Sequence, residues 1–215
     1  YSRVRAAKKE KEHLLKQLFE EKKLVYPPDG VFLRVFKEEK ELELWVKSQN
    51  EWKYLKTYPI CKMSGQLGPK RTEGDLQVPE GFYYLDAYNP WSSFYLSMRI
   101  DYPNLSDKRI SSAKRLGGDI MLHGDCISIG CIAITDDFIK EVYWLCVLAK
   151  NNGQDSVPIH IFPFRFKNET LKTRFFEKTA FLNFWKNLQE GYEYFENQKK
   201  LPIISIDKQG KYLFN

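Results

Sequence analysis

The chain is poor in the residues that most often bind metals or form disulfide frameworks. Its 215 residues include three histidines and four cysteines, and four cysteines at this length do not make a disulfide-stapled scaffold. The printed residues contain no run of about 18 apolar residues, the length that a membrane-spanning helix needs. No internal repeat or low-complexity tract is present either. These absences leave a globular, non-membrane chain as the expected class.

The composition supports a sizeable hydrophobic core. Hydrophobic residues make up 43% of the chain and aromatic residues 15%, while a charged share of 29% argues against membrane and disordered classes. The net charge of +6 favours anionic surroundings. Because the basic residues are scattered and no nucleic-acid-binding module is recognisable, no nucleic-acid partner is predicted.

One stretch concentrates the scarce reactive residues. His123, Cys126 and Cys131 follow one another closely, with glycines between them. The thiolate is the attacking form of cysteine, and a nearby imidazole is its usual activator because a free thiol has a pKa near ~8.5. The pattern therefore favours Cys131 as a nucleophile and His123 as its base. The backbone N–H groups of Gly130 and Cys131 are then candidates for stabilising an oxyanion.

Two other interpretations of this stretch stay open on the residues alone. His123, Cys126 and Cys131 could ligate zinc, with His160 as a fourth ligand, although structural zinc sites prefer more closely spaced cysteine pairs. Alternatively, both cysteines could be small buried hydrophobic residues. Neither interpretation explains the glycines and the histidine beside them.

A longer string around the cluster favours the catalytic interpretation. The residues HGDCISIGCIA at 123–133 resemble the catalytic signature of the L,D-transpeptidase (YkuD-type) domain family. Their short spacer and the Ser-Ile-Gly-Cys run at 128–131 are most similar to the YafK (DpaA) subgroup of that family. The likeness continues through the strings at 31–47, 61–83, 161–166 and 184–196.

The resemblance implies a role for each residue of the motif. By position, Cys131 corresponds to the nucleophile of the family and His123 to its base. A backbone carbonyl near Gly124 would orient the imidazole, while Ser128 and Gly130 would shape the oxyanion pocket. No metal and no cofactor are implied.

The implied activity is that of a cysteine amidase acting on peptidoglycan next to meso-diaminopimelate, through a thioester intermediate. Ile129 replaces a histidine, and Ala133 an arginine, that many family members have. The subgroup shares both replacements, and they favour water over an amine as the acyl acceptor. The subgroup is associated with hydrolysis of the link between a covalently bound lipoprotein lysine and the stem peptide.

Two alternative functions remain. Within the family, the chain could be an L,D-transpeptidase or L,D-carboxypeptidase acting on tetrapeptide stems. From another class, it could be a zinc-stabilised or inert cell-wall binding module. The expected partners are peptidoglycan stem peptides and a covalently attached lipoprotein. The resemblance implies export to the periplasm or cell envelope, although no signal segment is found in the printed residues.

The sequence predicts a mixed α+β fold with a largely antiparallel sheet or sandwich. Alternating apolar residues predict a hairpin of strands at 31–37 and 41–47, followed by a third strand at 51–60. Further strands are expected at 81–87, 93–100 and 156–166, helices at 2–24, after Thr135 and within 169–198, and a hairpin after Pro202. We expect an N-terminal helix and turn at 1–29, a catalytic domain at 30–167, and a helical extension with the terminal hairpin at 168–215.

Three further residues are candidates for substrate binding. Lys70 and Arg71 lie in a loop containing Gly and Pro, where a guanidinium could bind a substrate carboxylate. Tyr95 belongs to an aromatic group that could line a peptide groove or join the core. Cys126 is a candidate disulfide partner of Cys61 or a resolving thiol for the nucleophile.

Overall fold

A curled eight-stranded sheet carries the fold in the computed structural model, which describes residues 1–169, 173 and 180–215. The strand order is β3-β2-β1-β8-β4-β5-β6-β7. The pairs β1–β8 and β6–β7 are parallel, and all others are antiparallel. The predicted mixed α+β class with a largely antiparallel sheet is confirmed. The strands are β1 (Gly30–Phe36), β2 (Glu41–Ser48), β3 (Glu51–Pro59), β4 (Gly81–Asn89), β5 (Ser97–Ile100), β6 (Met121–His123), β7 (Ile132–Ala133) and β8 (Val157–Phe162).

Helices cover the sheet and a small second sheet adjoins it. Helix α3 packs against β1 and β5, α1 packs on α3, and α4 contacts β10 of the small sheet. Every residue of β1 and β8 is buried, as expected for strands covered on both faces. The remaining elements are α1 (Ser2–Glu21), α2 (Leu105–Ile110), α3 (Asp136–Asn151), α4 (Leu182–Gln198), β9 (Ile204–Ile206) and β10 (Tyr212–Phe214).

Successive side chains of β1 pack on opposite faces of the sheet, and both faces are buried. Val31, Leu33 and Val35 join the main core, whereas Phe32 and Phe36 belong to the aromatic clusters that include α4 side chains. The guanidinium of Arg34 also lies inside, where it pairs with Glu43 at 2.7 Å and with Glu196 at 2.6 Å. A buried charge needs such partners, because it has lost its hydration.

The two edges of the large sheet meet next to the reactive stretch. After β3, the backbone N–H groups of Cys61 and Lys62 donate to the carbonyl of Ala133 in β7, and the N–H of Ala133 donates to the carbonyl of Lys62 at 3.0 Å. A disulfide joins Cys61 to Cys126, with 5.6 Å between their Cα atoms. The loop between β6 and β7 is therefore held at the seam where the curled sheet closes.

Most predicted elements are found, with two differences. The strand expected at 93–100 begins at Ser97, because Tyr95 adopts a positive φ of 69° that interrupts extended backbone. Helix α2 (Leu105–Ile110) was not predicted. Of the helices expected within 169–198, α4 is present, and residues 170–172 and 174–179 of that range lie outside the described residues. In the described ranges, no helix combines the length and apolarity needed to cross a membrane.

Candidate active site

The register of β6 and β7 positions the two candidate catalytic side chains. In this parallel pair, His123 lies opposite Ala133 and Leu122 opposite Ile132. Cys131 lies immediately before β7, two residues from Ala133. The backbone N–H of Met121 donates to Sγ of Cys131 at 3.4 Å. The thiol therefore lies beside β6, the strand that ends at His123.

The imidazole of His123 is held in one orientation. Its side chain is buried, and Nδ1 lies 2.5 Å from the backbone oxygen of Gly124. A carbonyl oxygen only accepts, so Nδ1 carries the hydrogen and Nε2 keeps its lone pair. The ring of Phe94 packs against the imidazole with 4.6 Å between centroids. Burial lowers the pKa of His123 below its ordinary 6.5, and the hydrogen bond to Gly124 offsets only part of this effect. The imidazole is therefore neutral at neutral pH.

The thiol of Cys131 is half-buried. Its Sγ donates to the backbone oxygen of Asp119 over 3.7 Å. Burial raises the pKa of Cys131 above its ordinary 9.0. The Asp119 carboxylate raises this pKa further, whereas the hydrogen bond from the Met121 N–H lowers it. Both groups are therefore neutral at rest, which suits transfer of the thiol proton to the imidazole during attack rather than a preformed ion pair.

The turn before Cys131 contains the two backbone N–H groups that the sequence predicts as oxyanion donors. Gly130 has a φ of +126°, a conformation that side chains rarely permit. Ser128 Oγ donates to the carbonyl of Cys131 at 2.7 Å and accepts a long hydrogen bond of 3.4 Å from the N–H of Gly130. The N–H of Cys131 has no acceptor within the described part of the chain. The N–H of Cys131 is therefore available to an oxyanion, whereas that of Gly130 would have to leave Ser128 to join it.

The space around Gly124 leaves no room for a side chain. A Cβ atom at this position would lie 2.5 Å from Oδ1 of Asp136, 2.9 Å from the carbonyl oxygen of Phe94 and 3.0 Å from Ile139. The Gly124 N–H donates to the carbonyl of Leu96 at 3.1 Å. The backbone at Gly124 is therefore closely packed. This packing holds both the carbonyl that orients the imidazole and the start of the β6–β7 loop.

A cavity of about 580 Å³ opens at Cys131. Its walls include Leu76, Phe94, Asp119 and Ile129, of which Ile129 is 77% exposed. Phe94 belongs with Tyr95 to the aromatic group that the sequence offers either as the lining of a peptide groove or as core. Asp119 was not predicted as a lining residue, although it lies just before β6 in the reactive stretch.

The three predicted substrate-binding residues lie in different places. Lys70 lines the Cys131 cavity, but its ammonium binds the carboxylate of Asp75 at 2.6 Å. Arg71 lines a separate cavity and pairs with Asp107 at 2.9 Å. Tyr95 lies outside the residues that line the Cys131 cavity, and its ring lies 5.4 Å from the guanidinium carbon of Arg3 in α1. Their assignment to substrate remains a prediction.

The zinc interpretation is not supported. The Cys126 sulfur is bonded to Cys61 and cannot act as a thiolate ligand. His160 is buried in β8 beside Arg34 of β1, not in the β6–β7 loop. Among residues 1–169, 173 and 180–215, no cluster of three or more potential metal ligands occurs. The disulfide also decides between the two roles considered for Cys126, since its thiol is not free to act as a resolving partner.

Comparisons with known proteins agree with this geometry. The family model of the L,D-transpeptidase catalytic domain (YkuD) matches residues 31–160. The Escherichia coli K12 protein YafK, whose L,D-transpeptidase name is provisional, is 39% identical over 185 residues, covering 85% of this chain and 73% of that protein. The helical cell shape determining protein Pgp2 from Campylobacter jejuni matches at a TM-score of 0.51 and 18% identity, covering 83% of this chain and 73% of Pgp2. This last likeness concerns the fold alone. The chain belongs to the L,D-transpeptidase catalytic domain (YkuD) family.

Proposed function

We propose that this chain is a cysteine-dependent amidase of peptidoglycan. The observation that carries the proposal is the hydrogen bond between Nδ1 of His123 and the carbonyl of Gly124. It leaves Nε2 as a proton acceptor at the end of β6, the strand whose Met121 N–H donates to the sulfur of Cys131. Cys131 in turn borders an open cavity. A base, a thiol and room for a peptide are the minimum that attack on an amide requires.

The proposed reaction has two halves. As Sγ of Cys131 adds to the amide carbonyl next to meso-diaminopimelate, its proton passes to Nε2 of His123, and the N–H groups of Gly130 and Cys131 stabilise the oxyanion. The imidazolium then protonates the departing amine, the C–N bond breaks, and a thioester remains. In the second half, His123 takes a proton from water, the resulting hydroxide adds to the thioester, and the C–S bond breaks. Cys131 recovers its proton from the imidazolium.

Water is the proposed acyl acceptor, and a lipoprotein lysine is the proposed leaving amine. Ile129 presents an exposed aliphatic side chain at the cavity, so it offers no hydrogen bond to an incoming amine. The short spacer and the Ser-Ile-Gly-Cys run support the same subgroup assignment. The Cys61–Cys126 disulfide supports export to the cell envelope, since structural disulfides persist in oxidising compartments.

Defined muropeptides test this proposal. The purified protein would be incubated with a stem whose meso-diaminopimelate carries a lysine peptide and, separately, with plain tetrapeptide stems. Release of the lysine peptide supports the amidase. New cross-links would instead identify an L,D-transpeptidase, and loss of terminal D-alanine an L,D-carboxypeptidase. An absence of any product with all substrates would contradict the proposed chemistry.

A further inference from the structure

A second cavity, of about 670 Å³, lies outside the proposed catalytic centre. It is formed where the segment after α2, the start of α4 and the turn of the terminal hairpin approach one another. The motif that defines the family contributes nothing to it. The residues that matter here are Arg71, Phe181, Asn183, Phe184, Gln209 and Lys211.

The two cavities are neighbours that share one dividing wall. Arg71 and Thr72 line the second cavity, whereas Lys70 and Glu73 line the catalytic one. The wall is closed by Arg115, whose backbone oxygen accepts from the N–H of Glu73 at 3.0 Å and from Oγ1 of Thr72 at 3.4 Å. The segment that contains Arg115 is divided in the same way. Its residues 111–113 line the second cavity, and residues 117–121 line the catalytic cavity. An extended ligand would have to pass over this wall to occupy both cavities.

The charges of the second cavity are already compensated. The guanidinium of Arg71 pairs with the buried carboxylate of Asp107 at 2.9 Å, and the ammonium of Lys211 pairs with Glu190 at 3.1 Å. An anionic ligand would have to compete with both carboxylates. The electrostatics therefore favour a neutral occupant.

The rest of the lining is apolar on one side and carries amides on the other. Phe181 and Phe184 supply aromatic surface, while the exposed residues Asn183 and Gln209 carry amide groups that both donate and accept. Pockets of this composition orient a ligand through a few polar groups and bury its apolar face. A pyranose ring has such a face, and its hydroxyl and acetamido groups match the amides.

We propose that the second cavity binds an N-acetylated amino sugar of the glycan strand while the catalytic cavity holds the attached stem peptide. This inference rests on the proposed function, since the sugar and the peptide must belong to one ligand. It assigns Asn183 and Gln209 as sugar-contacting residues, and it makes the dividing wall at Arg115 the place where the stem leaves the glycan.

Direct binding tests the sugar site without catalysis. The Cys131→Ala protein would be titrated with the disaccharide of N-acetylglucosamine and followed by NMR of side-chain amides. We expect saturable shifts of the Asn183 and Gln209 amides, lost in the Asn183→Ala/Gln209→Ala double variant and kept in Lys186→Ala, an exposed control on the same helix outside the lining. Absence of binding, or shifts confined to other residues, overturns the site.

Kinetics then tests whether the site serves the substrate. For a disaccharide-linked stem, the double variant should raise KM about tenfold, which corresponds to ~1.4 kcal/mol, whereas KM for the free stem peptide and kcat for both should stay unchanged. Equal effects on both substrates would contradict the proposal. If the disaccharide binds but neither substrate is cleaved, the sugar site stands and the amidase proposal fails.

Discussion

At the scale of single residues, burial sets the protonation of both candidate catalytic groups. It lowers the pKa of His123 below 6.5 and raises that of Cys131 above 9.0. The imidazole must be neutral to accept the thiol proton, and the thiol must hold a proton that can be passed to the leaving amine. We therefore expect kcat/KM to be flat across neutral pH, with an acid limb below 6.5 and an alkaline limb above 9.0.

Stopped assays between pH 4 and pH 11 measure this profile. The Cys146→Ala variant is the matched control, because Cys146 is the other free cysteine and is buried in α3, away from the cavity. Its profile should coincide with that of the parent. Limbs that both fall between pH 6.5 and 9.0 would contradict the directions of the two pKa shifts.

His160 provides a separate prediction about acid stability. Its ring lies between those of Phe32 and Phe82, at 4.6 and 4.7 Å, and burial, with the neighbouring Arg34, lowers its pKa to about 3. The unfolded chain takes up this proton near pH 6.5 and the folded chain does not. The stabilising contribution is thus complete above 6.5 and is lost as pH falls towards 3, by up to ~1.4 kcal/mol per pH unit.

Urea unfolding at several pH values between 7 and 4 measures that slope. The His160→Gln variant has no titrating imidazole, so its free energy of unfolding should depend less steeply on pH than that of the parent. The activity of the variant above pH 7 reports whether the fold is kept. Parallel pH dependences in the two proteins would mean that His160 is protonated without cost in the folded state.

The sequence predicts the reactive residues from a motif but the binding residues from charge alone. Cys131 and His123 lie in one short motif that matches the family signature. Lys70 and Arg71 were chosen for their charge, but each already pairs with a carboxylate, and for Arg71 this partner lies on the distant helix α2. Pairing between segments far apart in the chain cannot be read from local spacing.

At the scale of elements, the β6–β7 loop depends on its disulfide. Cys61 and Cys126 are separated by 65 positions, and closing a loop of this size typically stabilises a protein by about 2 to 4 kcal/mol. The Cys61→Ser/Cys126→Ser variant should lose stability of this order and also turnover, because the bond anchors the loop that carries Ser128 and Gly130.

Denaturant melts and assays with and without dithiothreitol measure both effects. The reductant should lower the stability and turnover of the parent to the level of the double serine variant and leave that variant unchanged. Equal turnover of the oxidised and reduced parent proteins would contradict a positioning role for the disulfide.

Gly124 provides a second test of this element. In Gly124→Ala the new methyl group must displace the Phe94 carbonyl or the Asp136 carboxylate, and overpacking of this kind typically costs about 1 to 3 kcal/mol. Because the same backbone orients His123, turnover should fall more than stability alone explains. Turnover that falls no further than the loss of stability explains would contradict the prediction.

Elements with local signals were predicted correctly. The β1–β2 hairpin follows from its alternating residues, and Thr135 caps α3 through its side chain, which accepts from the N–H of Phe138 at 3.3 Å. Helix α2 was missed although Asn104 and Asp107 form a capping box around its start. Its six residues are too few for a clear hydrophobic period.

At the scale of the whole molecule, closure of the sheet brings the site together. The parallel pairing of Leu33 with Ile159 joins strands that are distant in the chain, and the Lys62–Ala133 bridge joins the opposite edges of the sheet. The sequence predicts the strands but not these pairings, because alternation defines the faces of a strand and not its neighbour. The catalytic cavity lies beside this closure, and the second cavity is lined by segments that are distant in the chain, so neither could have been outlined beforehand. The division into three segments stays a prediction.

Acyl-enzyme trapping is the most direct test of the central claim, that Cys131 attacks a peptidoglycan amide with His123 as its base. The parent protein and Cys131→Ala would be mixed with the lysine-linked stem, quenched in acid and analysed by intact mass and peptide mapping. The account predicts a transient stem adduct on Cys131 in the parent, and turnover reduced by several orders of magnitude in the variant. Release of the lysine peptide by Cys131→Ala at the parent's rate, with no adduct on the parent, would contradict it.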